Sequence, residues 1–150
     1  MPDITFKINS GTFPDILDHL RKCQDTFIPP LGNSVDINKY AEKIIDLAVR
    51  FEAWDQNTLI GLLAAYFNDE INKHGFITNV SVEKEYNGRG IAKTLLQNCL
   101  EFGRKGKFRK IYLKVNKSNL KAITLYEQLG FGPERSTQDE LTMFKPIDGR

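Results

Sequence analysis

Residues 85–96 read EYNGRGIAKTLL. Gly88 and Gly90 sit one residue apart, Ala92 follows two further on, and an apolar-periodic segment begins there. Glycine loses more conformational freedom on folding than any other residue. Small residues crowded at a helix start therefore predict that the backbone is brought close to something. Free N–H groups at a helix N-terminus, with the helix dipole behind them, suit an anion. Arg89 and Lys93 lie at the same end, where without an anion they would oppose the dipole. A purely structural turn built on the same glycines is the competing reading.

Two familiar phosphate motifs do not fit. A Walker P-loop needs GxxxxGK[ST], but Asn87 and Ala92 occupy both glycine positions. The dinucleotide fingerprint GxGxxG would need a small third residue where Lys93 stands. It also wants an acid about twenty positions on, where the chain reads KIYLKVN.

Outward from the glycines, GFITNVSVE at 75–83 is rich in β-branched residues and predicts a strand. A helix follows from about Gly90 to Arg104, with Ile91, Leu95, Cys99 and Phe102 facing inward. Residues 110–116 predict a strand, and 119–130 a helix with Ala122, Leu125, Tyr126 and Leu129 on one face and Gly130 at C′. Upstream, 4–8 alternates as a strand, and 13–24 is a helix carrying Ile16, Leu17, Leu20 and Cys23 on one face. FIPPLGNS at 27–34 is a loop, and 38–47 a second helix with Tyr40, Ile44, Leu47 and Ala48 at helical spacing. Residues 49–54 and 58–67 form a hairpin around DQNT, and a last strand lies near 140–145. The order β-α-α-β-β-β-α-β-α-β predicts one α/β domain (α+β, mixed sheet) over residues 1–150.

The bulk properties narrow the function. An apolar fraction of 41%, a charged fraction of 27% and a net charge of +2 describe a soluble globular chain, not a dedicated nucleic-acid binder. RKGKFRK at 104–110 reads as a helix end whose charges complement the dipole, with Gly106 as terminator. The longest nearly apolar run, LIGLLAAYF at 59–67, is too short to cross a bilayer, and the N-terminus lacks the pattern of a signal peptide. A cytoplasmic protein with reduced thiols is expected, since Cys23 and Cys99 are too few for a disulfide scaffold. His19 and His74 lack ligand partners, so no metal site is expected.

The spacing that does fit the glycine stretch is [QR]xxGx[GA], with Asn87 first, Gly90 fourth and Ala92 sixth. With the preceding VSVEKEY and the downstream NLKAITLYEQLGF, it resembles the GCN5-related N-acetyltransferase (GNAT) superfamily. The resemblance is close over 76–131, while 1–75 match only in the order of elements. It implies a splayed central sheet with acetyl-CoA as co-substrate between the parallel strands 76–83 and 110–116. It further implies that pantetheine meets the main chain from Val80 through Ser81 to Val82. The pyrophosphate would meet the amides of Gly88, Arg89, Gly90, Ile91, Ala92 and Lys93, with Asn87 replacing the usual Gln or Arg.

Asn119 matches the asparagine that contacts the pantetheine arm, and an N-cap serves it equally well. Tyr126 matches the tyrosine that protonates the departing thiolate, with a core tyrosine as the rival. Relatives acting on protein N-termini carry glutamate in a strand motif LEV; here the motif is LKV, with Lys114 in that place. Glu70, Glu83, His74, Asp36 or a water chain remain as alternatives for the base. Asp69–Glu70 reads better as a solvated hairpin tip than as an acid/base pair.

By position in the family, Phe27, Leu31 and Tyr40 would line the acceptor pocket. The implied activity is direct acetyl transfer to a primary amine of a small metabolite or amino sugar, with protein amines or a non-catalytic acyl-CoA-binding module as alternatives. The implied partner is an amine-bearing acceptor, without nucleic acid or membrane; homodimers are frequent in the family.

Overall fold

A computed structural model describes residues 3–27, 30–33 and 36–148. Its strands are β1 (Ile4–Ile8), β2 (Val49–Asp55), β3 (Thr58–Tyr66), β4 (His74–Val82), β5 (Lys110–Asn116), β6 (Gly132–Ser136) and β7 (Glu140–Pro146). Its α-helices are α1 (Phe13–Cys23), α2 (Ile37–Leu47), α3 (Ile91–Lys105) and α4 (Leu120–Gln128). The strands form one sheet in the order β1-β2-β3-β4-β5-β7-β6. Only the β4–β5 pair is parallel among the described strands.

Helices cover both faces of the sheet's middle, which is why β3 is an unbroken apolar run rather than an alternating one. On one face Leu95, Leu96 and Cys99 of α3 pack with Phe51, Leu63, Ile111 and Met143. On the other, Ile16 and Leu20 of α1 and Ala41 and Ile44 of α2 pack with Trp54, Leu62 and Ala64. Thr12 and Asp15 close a capping box at the start of α1, with Pro14 in the first turn.

A buried ion pair fixes the lead-in to α1. The Glu52 carboxylate is fully buried and accepts from the amides of Ser10 and Gly11, the Trp54 indole and Arg50 Nε. Arg50 also donates to the Gly11 carbonyl. Every lone pair of this carboxylate has a donor in reach, the condition under which a buried charge is tolerated.

The expected elements form, with three differences. Residues 132–136 make an unexpected strand, β6, so the chain ends in two strands and not one. GPERS shows no apolar alternation and carries a proline, which is tolerated because β6 is an edge strand paired only with β7. Leu47, at helical spacing with Tyr40, Ile44 and Ala48, is half exposed, and Ala41 is buried on the inner face of α2 beside Ile44. The loop at 27–34 holds a 3-10 turn at Leu31–Asn33, while its residues 28, 29 and 34 lie outside the described residues.

Candidate functional site

The sheet splits down its middle. β4 and β5 pair only from His74↔Lys110 to Ile77↔Leu113, and beyond that rung they separate. The cause lies in β4. Its register against β3 passes from Ala65↔Ile77 to Ala64↔Asn79, so Thr78 is an extra residue, a β-bulge. A bulge bends its strand and sharpens the local twist, which carries the end of β4 away from β5.

Past the bulge, the Glu83 amide donates to the Ile60 carbonyl at 2.9 Å. Main-chain groups alternate sides along a strand, so Ser81 and Glu83 address β3 while Val80 and Val82 turn theirs toward the gap. The gap opens into a cleft of about 920 Å³, the size of a small-molecule site. Val80, Ser81 and Val82 form one wall, and Leu113 to Asn116 with Asn119 and Tyr126 the other.

At one end of the cleft stands the glycine turn, where Asn87 and Ala92 reach its wall. Gly88 and Gly90 have φ of +81° and +74°, a region that side chains with a Cβ rarely enter. A Cβ on either would meet nothing within 4 Å, so these glycines answer to backbone conformation and leave open space beside them. Gly90 caps α3 without a side-chain bond, and the helix's first bond is Thr94 N–H to Gly90 O at 3.0 Å. The amides of Ile91, Ala92 and Lys93 thus precede the hydrogen-bonded ladder, an arrangement that holds anions. Arg89 lies over the Tyr86 ring at 5.2 Å, and the Tyr86 phenol donates to Asp55, tying the turn to β2.

Asn119 serves as N-cap of α4, its Oδ1 accepting from Ala122 N at 3.3 Å, and it also faces the cleft. Tyr126 lines the cleft while 8% exposed, with its ring 6.0 Å from that of Phe131. Burial pushes its phenol up to about 12, so it keeps its proton at neutral pH.

Of the residues expected around the acceptor, Phe27 and Leu31 line the cleft together with Thr26. Tyr40 does not reach the wall. Its phenol donates to the Thr78 carbonyl at 2.7 Å and lies 3.0 Å from Thr78 Oγ1, behind the bulge.

None of the residues considered as a base lines the cleft. Glu70 pairs with Lys73 at 3.2 Å in the β3–β4 connection and His74 begins β4, both at the far end of that strand from the split. Asp36 caps α2. Glu83 follows β4 and is 7% exposed; burial raises its carboxyl, Lys22 Nζ stands 3.8 Å away, and Oε2 accepts no hydrogen bond among the described residues. Lys114 does line the cleft.

A polar strip on the α1 side of β4 escaped the sequence. His19 Nε2 lies 2.9 Å from Ser81 Oγ, which donates to Asn79 Oδ1 at 2.8 Å. The Asn79 Nδ2 donor is buried and has no hydrogen-bond partner among the described residues. Burial lowers His19 to about 4, with the neighbouring charge of Lys22 acting the same way. The signal was the TNVS tetrad in β4, whose polar side chains face a helix that is otherwise apolar on that side.

Elsewhere, Arg104 and Lys105 face Glu101 at 3.8 and 3.9 Å, Lys110 pairs with Glu134 at 2.8 Å, and Gly106 caps α3. Cys23 and Cys99 are buried and free; burial pushes the Cys23 thiol up to about 12 and raises that of Cys99 further. Among the described residues no three His, Cys, Asp or Glu side chains gather as a metal site, and no helix is long and apolar enough to cross a membrane.

The sequence profile of the acetyltransferase (GNAT) family matches residues 14–131. A probable spermine N(1)-acetyltransferase of Bacillus subtilis subsp. natto is 30% identical over 49% of this chain and 49% of its own. The alignments span no more than about half the length of the curated relatives they match. Among solved structures, a ribosomal-protein-alanine N-acetyltransferase of Escherichia coli superposes with a TM-score of 0.78 at 19% identity, covering 97% of this chain and 96% of its own. The PaiA N-acetyltransferase of Thermoplasma acidophilum, solved with coenzyme A, gives 0.75 at 18% identity, covering 95% and 99%. The fold is theirs.

Proposed function

The chain belongs to the acetyltransferase (GNAT) family, and on that premise we propose that it moves an acetyl group from acetyl-CoA directly to a primary amine of a small metabolite or amino sugar. The observation that carries this is the continuity of the split sheet with the glycine-capped start of α3. One cleft offers unpaired main chain at Val80 and Val82 to an amide-bearing arm, and free amides at residues 91–93 to a pyrophosphate. The PaiA enzyme of the same fold holds coenzyme A, which supports this choice of ligand. We read residues 1–150 as one such domain, acting in the cytoplasm.

The amine nitrogen attacks the thioester carbonyl carbon; the C–N bond forms and the C–S bond breaks. The nitrogen gives up its proton to water, since the one carboxylate among the described residues lining the cleft, Glu140, is exposed at its rim. The sulfur leaves as a thiolate beside the Tyr126 phenol, which donates a hydrogen bond to it. A phenol at about 12 holds its proton more tightly than a free thiol near 8.5. Its main effect is therefore to offset charge on the sulfur, and solvent resupplies whatever proton it passes on. The products are an N-acetyl amide and the free thiol of CoA. Both cysteines are buried with raised thiols, so transfer is direct rather than through a cysteine acyl intermediate.

A thermal-shift titration with acetyl-CoA, using ATP and NAD as controls, tests the cofactor. Ligand at one hundred times its dissociation constant stabilises by about 2.7 kcal/mol. Release of CoA thiol is then followed with small amines and with peptides. Stabilisation without release by any amine would leave only a binding module, and faster turnover of peptides would move the acceptor class to proteins.

A further inference from the structure

On the two sides of the split, Lys114 of β5 and Asn79 of β4 both line the cleft, and the Asn79 Nδ2 donor has no hydrogen-bond partner among the described residues. Tyr112 and Phe76, neighbours on β5 and β4, pack with tilted rings, centroids 4.9 Å apart, on the α1 side of the sheet. Two residues further along β5, Lys114 projects from that same face, since Leu113 and Val115 point into the α3 side of the core. Its place is one step past the last rung, abreast of the Thr78 bulge. Asn79 and Ser81 occupy the corresponding face of β4, joined through Ser81 Oγ to His19 of α1.

Asn79 is 3% exposed; its Oδ1 is occupied by Ser81, and its Nδ2, beside the Tyr40 phenol, makes no hydrogen bond among the described residues. Lys114 makes no ion pair among the described residues and opens on the same cleft. A buried donor left unpaired costs free energy, so its counterpart is to be sought in the bound substrate. An ammonium and an amide N–H together call for oxygen, and the positive charge calls for an anionic one.

We propose that the acceptor is a primary amine that also carries a carboxylate, the chemistry of an amino acid, held by Lys114 and Asn79 Nδ2. This rests on the acetyl-transfer reading and narrows its substrate class. The carboxylate lies on the α1 side of the sheet, with the amine directed through the split toward the thioester and Thr26, Phe27 and Leu31 closing over the remainder. The same lysine repels a polycation. The carboxylate of the cleft wall, Glu140, is exposed at the rim beside Asn116 and leaves that repulsion largely uncompensated. Chemically the step is the one given above: amine and thioester become amide and thiol, and the carboxylate is unchanged.

The test compares triads in which an amino acid, its carboxamide and its decarboxylated amine share one side chain, at saturating acetyl-CoA, by release of CoA thiol. The expected result is a kcat/KM for the acid at least about tenfold above those of the amide and amine. Lys114→Glu should abolish or invert that ratio and Lys114→Arg should keep it, with acetyl-CoA affinity unaltered in both. Lys114 is exposed, so neither change threatens the fold. Amides or plain amines turned over as well as the acids would overturn the carboxylate assignment and leave acetyl transfer standing. Bound acetyl-CoA with no release by any amine would bring down the transfer reading and this one with it.

Discussion

The Tyr40 phenol donates to the carbonyl of Thr78 at 2.7 Å, and Thr78 is the residue that β4 inserts without a partner on β3. A bulged carbonyl has left its ladder and needs another donor. Helix α2 supplies it, so the packing of α2 on the sheet and the opening of the sheet are one structural fact.

Replacing Tyr40 with Phe keeps the ring and removes the bond. Stability should fall by about 1–2 kcal/mol in urea unfolding, the cost of a buried carbonyl left unpaired. Acetyl-CoA should also bind more weakly, because the bulge sets the direction of the Val80 main chain. A stability loss with unchanged affinity would mean that the split does not depend on α2.

Gly90→Ala isolates the backbone requirement of the glycine turn. Its φ is +74° and an added Cβ has no neighbour within 4 Å, so the cost is conformational strain alone, about 1–2 kcal/mol. The strain is relieved if the turn relaxes, and relaxation would re-aim the amides of residues 91–93. Acetyl-CoA affinity should therefore drop by more than the stability change alone can account for, read by calorimetric titration at a temperature where the variant is folded. Equal affinity would show that the amides are not aimed at the ligand.

His19 should make the fold acid-sensitive. Its folded value of about 4 lies below the unfolded 6.5, so the native state binds fewer protons in that interval. The stability concerned is fully present above pH 6.5 and is lost as pH falls toward 4, on the order of 3 kcal/mol in all. The raised carboxyl of Glu83 acts with the opposite sign, so the informative quantity is the difference between the wild type and His19→Gln. That difference, wild type minus variant, should fall by up to about 3 kcal/mol as pH drops from 6.5 toward 4. A parallel pair of stability curves would show that His19 is hydrated and not held in the Ser81–Asn79 chain.

Most of the sheet and the glycine turn at the end of the cleft were legible because local rules govern them. Alternation marks β1, glycine at positive φ marks the turn into α3, and helical spacing marks the faces of α1, α3 and α4. The α1 side of the cleft was not legible, because it depends on pairing. Nothing in TNVS announces that Thr78 is the extra residue, yet that one register shift opens the split and decides which side chains meet. Tyr40 looked like a wall residue by its place in the chain, and the bulge turned it into a support. His19, taken alone, had no partner in sequence; Ser81 lies 62 positions away. β6 was missed because an edge strand need bury nothing and its sequence records no burial.

Tyr126 is the residue on which transfer chemistry and packing make different predictions. As a core tyrosine, it would cost stability when changed to Phe and nothing else. As the donor to the departing sulfur, Tyr126→Phe should lower kcat by roughly a hundredfold or more while leaving acetyl-CoA affinity unchanged. Its burial supplies an internal control. The folded phenol at about 12 lies above the unfolded 10, so the native state binds more protons in that interval. Stability should hold up to pH 10 and then fall by about 3 kcal/mol through pH 12, a loss that Tyr126→Phe should escape. Stopped-flow measurement of CoA release at neutral pH, beside alkaline unfolding of the same variant, separates the two roles. A variant that escapes the alkaline loss yet turns over at the wild-type rate would establish the tyrosine as buried packing, and the departing sulfur would then take its proton from water in the cleft.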